Sequence, residues 1–156
     1  MTRYEQFEAV AEGRKGGGIT VRLPFDPDEA WGAKDRHYVA GSIHGIPVRG
    51  SLTRHDDASS LELGPSWCRS GLVKEGQTVR VRLEPEGPQV DDLGPEFRAA
   101  LEADPGARRA FESLATFYRN ELVRSVDGVK RPATRARNLD AAMERLRSTD
   151  LTRSRP

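Results

Sequence analysis

Four cations, Lys130, Arg131, Arg135 and Arg137, fall within the nine residues KRPATRARN, at a point where a helix should begin. A helix start exposes N–H groups and carries partial positive charge, so it favours anions and disfavours cations. Pro132 suits the first helical position, where its missing N–H is no loss. The crowding of Lys130, Arg131 and Arg135 around that turn therefore asks for a compensating carboxylate, from the chain or from a bound anion. On a helical wheel Arg131, Thr134, Arg135, Asn138 and Arg145 share a face beside the apolar stripe, and Arg137 points to the opposite side. A hydroxyl, a carboxamide and forked guanidiniums near a helix start match a carboxylate or phosphate. The candidate anion site is thus Lys130, Arg131, Thr134, Arg135 and Asn138. Its alternative is an internal clamp, in which Arg135 or Lys130 pairs with Asp91, Asp92 or Glu96 and an arginine stem packs on the core.

Other chemistries find less support. His37 and His55 lie near the open end of one hairpin, but strand alternation turns His37 inward and His55 outward, so their rings diverge. With a single cysteine and no paired Cys/His spacing, neither metal nor cofactor is expected, and Asp56 and Asp57 read as loop residues. Nucleophilic catalysis would need Cys68, Ser66 or Ser51 beside a positioned base. Arg69 adjoins Cys68, yet a spare, partly buried thiol is the commoner arrangement. Asp91 and Asp92 are consecutive and lack the opposed geometry of an acid/base pair. No catalytic residue is assigned, and binding is favoured over an enzyme of unknown type. Phe25, Trp31 and Arg49 form the expected wall of a pocket where the β domain meets the tail. The outward arginines Arg22, Arg49, Arg80 and Arg82, with the basic tail, supply the alternative function of a nucleic-acid-binding regulator.

The elements that carry these residues change character along the chain. Phe7, Ala9 and Ala11 alternate with polar neighbours, as do Ile19, Val21 and Leu23 after the GRKGGG turn, which predicts a first hairpin. DPDEAWG reads as one helical turn with Asp26 as N-cap, Pro27 at the first position and Gly32 as terminator. HYVAGSI and IPVRGSL flank a two-residue turn at His44-Gly45, with Val39, Gly41 and Ile43 sharing a face with Ile46, Val48, Gly50 and Leu52. SSLEL predicts a strand, PSWCRSGL a short helix, and TVRVRLE a strand with Val79, Val81 and Leu83 inside. Five or six short strands suggest a compact barrel over residues 1–84. Residues 85–94 read as a linker. Helices follow from Pro95 to Glu102, from Pro105 through Phe111 and Leu114, from about Thr116 to Val126, and from Pro132 with Ala136, Leu139, Met143 and Leu146 as its apolar stripe. The helical tail spans 95–150, and 151–156 is expected to be disordered.

Composition sets the class. The 156 residues are 36% hydrophobic and 31% charged, which describes a polar globular chain. No run approaches the eighteen or so apolar residues of a membrane span, and MTRYEQFEAV carries glutamates where a signal peptide would be apolar, so membrane insertion and export are not expected. One cysteine fits a reducing cytoplasm. The net charge of +1 conceals a split: from residue 119 onward there are ten Lys/Arg and five Asp/Glu, against fifteen and nineteen before it. Such a split suits an anionic small-molecule partner or the docking of the chain's two parts, and homo-oligomers are compatible with it.

Two blocks carry a family resemblance. PFDPDEAWG, VAGSIHGIPVRGSL and GLVKEGQTVRVRL resemble the N-terminal barrel domain of bacterial proteins of the YdeI/OmpD-associated family. GPEFRAAL, ARRAFESL and the segment from Val129 to Asn138 resemble its C-terminal half, also called the bacteriocin-protection domain. The resemblance spans about residues 5–148 and implies an α+β chain: a small split β-barrel, distantly similar to that of AbrB/MazE-type regulators, followed by three or four helices. It supplies no catalytic residues. Ala133 stands where the family usually has Glu, Asn138 where it often has Arg, Gln77 where it often has Asp, and Ser125-Val126 replaces an aromatic-Ile pair.

Overall fold

The computed structural model describes residues 3–56, 58–69 and 71–153. The chain is α+β and divides into two compact units, Met1–Glu86 and Gly87–Pro156.

The first unit contains, among the described residues, eight strands: β1 (Glu5–Val10), β2 (Glu12–Gly13), β3 (Ile19–Arg22), β4 (Tyr38–Ile43), β5 (Ile46–Ser51), β6 (Thr53–Arg54), β7 (Ser59–Leu63) and β8 (Thr78–Pro85). They form two open antiparallel sheets in the orders β1-β8-β4-β5 and β2-β3-β7-β6, rather than one closed barrel. The strands beyond the expected five or six include the two-residue β2 and β6, too short to show alternation. The predicted first hairpin also differs. β1 pairs with β8, Phe7 opposite Val81, while the Gly-rich turn joins only β2 to β3. Ala11 marks the change of sheet: it is buried, and its N–H donates to the Gln77 carbonyl at 2.9 Å.

Short helices punctuate the strands as their caps dictate. In α1 (Pro27–Trp31) the Asp26 carboxylate accepts from the Asp28 N–H, and Gly32 ends the turn at a φ of 91°. α2 is the brief Pro65–Cys68 turn. His44 (φ 51°) and Gly45 (φ 78°) make the tight β4–β5 turn, and Val39 faces Gly50 and Gly41 faces Val48 as alternation requires. Val39, Ile43, Leu61, Val79, Val81 and Leu83 are fully buried, and each such side chain contributes roughly 1.5–3 kcal/mol of apolar transfer.

In the second unit a 3-10 turn (Val90–Asp92) precedes α3 (Pro95–Glu102), α4 (Pro105–Ser113), α5 (Thr116–Val126) and α6 (Pro132–Arg153). Val90 and Leu93 sit in the helical core, so the segment read as a linker is partly structural, and Gln89 and Asp92 cap its turn reciprocally. Phe97 and Phe111 meet edge to face at 5.7 Å in that core, with Leu101, Val126 and Leu146 around them. Asp104 caps α4 through the Ala107 N–H and binds Arg147 at 2.9 Å; these hydrogen bonds, the backbone one foremost, hold its carboxyl below the usual range. Leu139 packs against the core and Met143 and Leu146 are buried, but Ala136, near the start of α6 on the same stripe, is exposed. α6 continues through Arg153, past the point where order is expected to end, and residues 154–156 lie outside the described residues.

Candidate functional site

The loop between α5 and α6 is built by two side chains of α6 reaching backward. The Arg135 guanidinium donates through Nε and Nη2 to the Val129 carbonyl at 3.2 and 2.9 Å, and through Nη2 to the Lys130 carbonyl at 3.5 Å. Its Nη1 pairs with Glu96 Oε1 at 3.4 Å. Asn138 donates to the Ser125 carbonyl at 2.6 Å. Asp127 accepts the Gly94 N–H at 2.9 Å, so Asp127 and Arg135 both tie the loop to the start of α3. Of the two outcomes the charge pattern allows, Arg135 takes the internal clamp, with Glu96 as its carboxylate. Lys130 and Arg131 are different. Both are exposed, and neither has an ion pair among the described residues. The Thr134 hydroxyl, half-buried beside them, makes no side-chain hydrogen bond among the described residues. The first turn of α6 contains no acidic residue. Arg145 lies with Asn138, Leu122 and Ser125 along a shallow groove of about 200 Å³.

Within the β unit a polar cluster centres on Asp28, which strand alternation alone could not reveal. His37 is 5% exposed, and its Nε2 lies 2.6 Å from Asp28 Oδ1. Arg54 Nη2 donates to both Asp28 oxygens at 3.0 and 3.1 Å, and the Lys34 N–H donates at 3.3 Å. Burial pushes the Asp28 carboxyl up, but hydrogen bonds from His37 and Lys34 and the Arg54 charge outweigh it and hold the carboxyl below its ordinary 3.8. Burial pushes the His37 imidazole below its ordinary 6.5 despite the Asp28 hydrogen bond, so at neutral pH an uncharged ring donates Nε2–H to the carboxylate. Phe25, Asp28, Arg54 and His55 line an adjoining cleft of about 450 Å³.

That cluster predicts acid loss of stability in two steps. An unfolded His37 takes up its proton near pH 6.5 while the folded one resists, so stability falls as the pH drops below 6.5 and levels off once the folded ring protonates. The Asp28 contribution is complete above pH 3.8 and is lost as the pH falls further, through its lowered folded value. Denaturation midpoints measured from pH 8 to pH 3 should show the first step and the onset of the second, and His37→Gln should remove the first.

The remaining sequence candidates are distributed over the β unit. Phe25 meets Phe7 and Trp31 edge to face at 5.7 and 5.3 Å, and the Trp31 indole donates to the Arg3 carbonyl. Phe25 therefore walls the Asp28 cleft, while Trp31 stands behind it against His37. Arg49 pairs with Glu86 at 2.8 Å. Arg22 pairs with Glu12 at 3.3 Å, which shortens the arginine track proposed for phosphates. His55 is exposed and sits 3.1 Å from the buried Ser60 hydroxyl, far in role from a paired metal ligand. No group of metal-ligating side chains forms among the described residues. Cys68 is partly buried against the β core. No helix among the described residues is long and apolar enough to cross a membrane. Arg119, read in the sequence only as one more cation, is buried and donates to the Leu114 and Pro88 carbonyls and to the Thr116 hydroxyl.

Comparison with known proteins follows the same division. Residues 7–83, nearly all of the β unit, match a domain of unknown function, DUF1905. Residues 92–148 match the family described as bacteriocin-protection, YdeI or OmpD-associated. Among curated proteins none matches the chain. The chain thus carries a domain of the YdeI/OmpD-associated family in its helical unit, preceded by a domain of unknown function in its β unit.

Proposed function

We propose that this chain is a non-catalytic binding protein for a small anionic ligand, contacted by Lys130 and Arg131 and oriented by the Thr134 hydroxyl at the opening of α6. The observation that supports this reading is the division of labour in the loop. Arg135 and Asn138 are spent on the Val129, Lys130 and Ser125 carbonyls, which fixes the backbone, while Lys130 and Arg131 stay exposed ahead of a first turn without carboxylates. A rigid loop removes part of the ordering cost of binding, and helical N–H groups add to the attraction for an anion. A cytoplasmic setting is consistent with the single cysteine.

Thermal melting of the full chain with phosphate, citrate and mononucleotides tests the proposal. A ligand at a hundred times its Kd should stabilise by about 2.7 kcal/mol, a rise of several degrees. Lys130→Ala/Arg131→Ala should keep the unliganded melting temperature and lose that rise. Arg135→Ala should lower the unliganded temperature itself, because it unties two carbonyls. A rise that persists in the double variant, or none with any anion in the wild type, would defeat the reading.

A further inference from the structure

Five arginines lie on the strands of the β unit, at positions 22, 49, 54, 80 and 82. Three are neutralised: Arg22 by Glu12, Arg49 by Glu86 and Arg54 by Asp28. Arg80 and Arg82 have no ion pair among the described residues, and these two share one cleft of about 450 Å³ with Gln6, Glu8, Ser42, His44 and Thr78. We infer that this cleft, on the outward face of the β1-β8-β4-β5 sheet, is a binding site for the phosphate group of a small phosphorylated molecule.

The geometry follows from strand periodicity. Val79, Val81 and Leu83 are buried, so Arg80 and Arg82 both project from the opposite face of β8, roughly 7 Å apart along the strand. β8 has a neighbour on each side, which makes it a rigid base. Arg82 stands between Gln6 of β1 and Ser42 of β4 in the cross-strand register, and Arg80 stands opposite Glu8. The His44 N–H donates to the Arg80 carbonyl at 3.0 Å, which brings the β4–β5 turn and its imidazole to the rim. The Arg82 guanidinium lies over the Tyr4 ring at 3.9 Å, an arrangement that holds its plane without neutralising its charge. Two forked cations flanked by hydroxyl and amide groups on a fixed sheet match the several acceptor oxygens of a phosphate, and a bidentate guanidinium gives that contact direction. Glu8 is the one carboxylate in the cleft, so the site carries an excess of positive charge for a dianion. The volume falls within the range of about 300–1,000 Å³ usual for small-molecule pockets.

Calorimetric titration of the full chain with pyrophosphate and with inorganic phosphate tests the site, with backbone amide shifts at positions 42–45 and 78–82 as a second readout. The wild type should bind pyrophosphate with those amides moving. Arg80→Ala and Arg82→Ala should each weaken binding at least tenfold with an unchanged melting temperature, and Glu8→Gln should tighten it. Lys130→Ala/Arg131→Ala should leave this binding intact, which separates it from the seat at α6. Absence of pyrophosphate binding in the wild type, or equal binding by Arg80→Ala, would overturn the site. Capture of a DNA duplex through the same arginines, with pyrophosphate unable to compete, would equally overturn the small-ligand assignment.

Discussion

Alanine at position 119 is expected to destabilise the helical unit by about 3 kcal/mol, the scale of losing a buried, fully hydrogen-bonded charged group. Arg119 is 3% exposed, and its guanidinium donates to the Leu114 carbonyl at 3.0 Å, the Pro88 carbonyl at 2.7 Å and the Thr116 hydroxyl at 3.2 Å. α5 begins at Thr116 and its N-cap, Ala115, offers no side-chain cap, so Arg119 reaches back from one turn inside to hold the residue before that cap and the segment that enters the unit. That entering segment is tight against α5: a Cβ on Gly87 would lie 2.7 Å from the Thr116 methyl. Truncation removes the donors to two carbonyls and opens a cavity where the stem packed. Arg119→Met separates these losses, since it keeps most of the stem and none of the donors. Chemical denaturation should rank wild type above Arg119→Met and Arg119→Met above Arg119→Ala. A cost for Arg119→Ala below about 1 kcal/mol, the range of ordinary surface changes, would mean the buried guanidinium contributes no net stability.

Arg119 also shows where reading the sequence stops. Caps, turns and alternation are local, and they predicted α1 from DPDEAWG, the His44-Gly45 turn and the starts of α3, α4 and α6 at their prolines. Partners far along the chain were not legible. β1 has the same alternation whether it pairs with β3 or with β8, and what selects β8 is the burial of Ala11 and its bond to Gln77, some sixty residues on. At the opening of α6 the charge pattern asks for an internal carboxylate or an external anion; Arg135 meets Glu96, one of the named partners, but periodicity alone does not choose between the two. The Asp28–His37–Arg54 cluster joins α1, the residue before β4, and β6, and their spacing, nine and twenty-six residues from Asp28, carries no motif. Similarly, alternation placed Arg22, Arg49, Arg80 and Arg82 outward, yet only their partners in the fold separate the neutralised pair from the pair in the cleft.

Gly41→Ala should cost about 3 kcal/mol, the upper end usual for overpacking, because a clash with backbone leaves nothing flexible to yield. Gly41 faces Val48 of β5 and Leu83 of β8, and a Cβ there would overlap the Arg82 carbonyl oxygen and crowd the Leu83 Cα. Gly50, on the same inward face and equally a glycine in a strand, is the natural control: its Cβ would meet only a Leu61 methyl at 3.4 Å, so Gly50→Ala should cost less than about 1 kcal/mol. The same contact links the fold to the proposed cleft. Relief of the overlap requires β4 to move away from β8, which displaces Ser42 and His44 from Arg82 and Arg80. Gly41→Ala that still folds should therefore lose pyrophosphate affinity, whereas Gly50→Ala should retain it. Denaturation curves of the two variants, followed by titration of whichever folds, measure both effects; equal stability of the two would show that β4 and β8 are not in the close register that brings the cleft residues together.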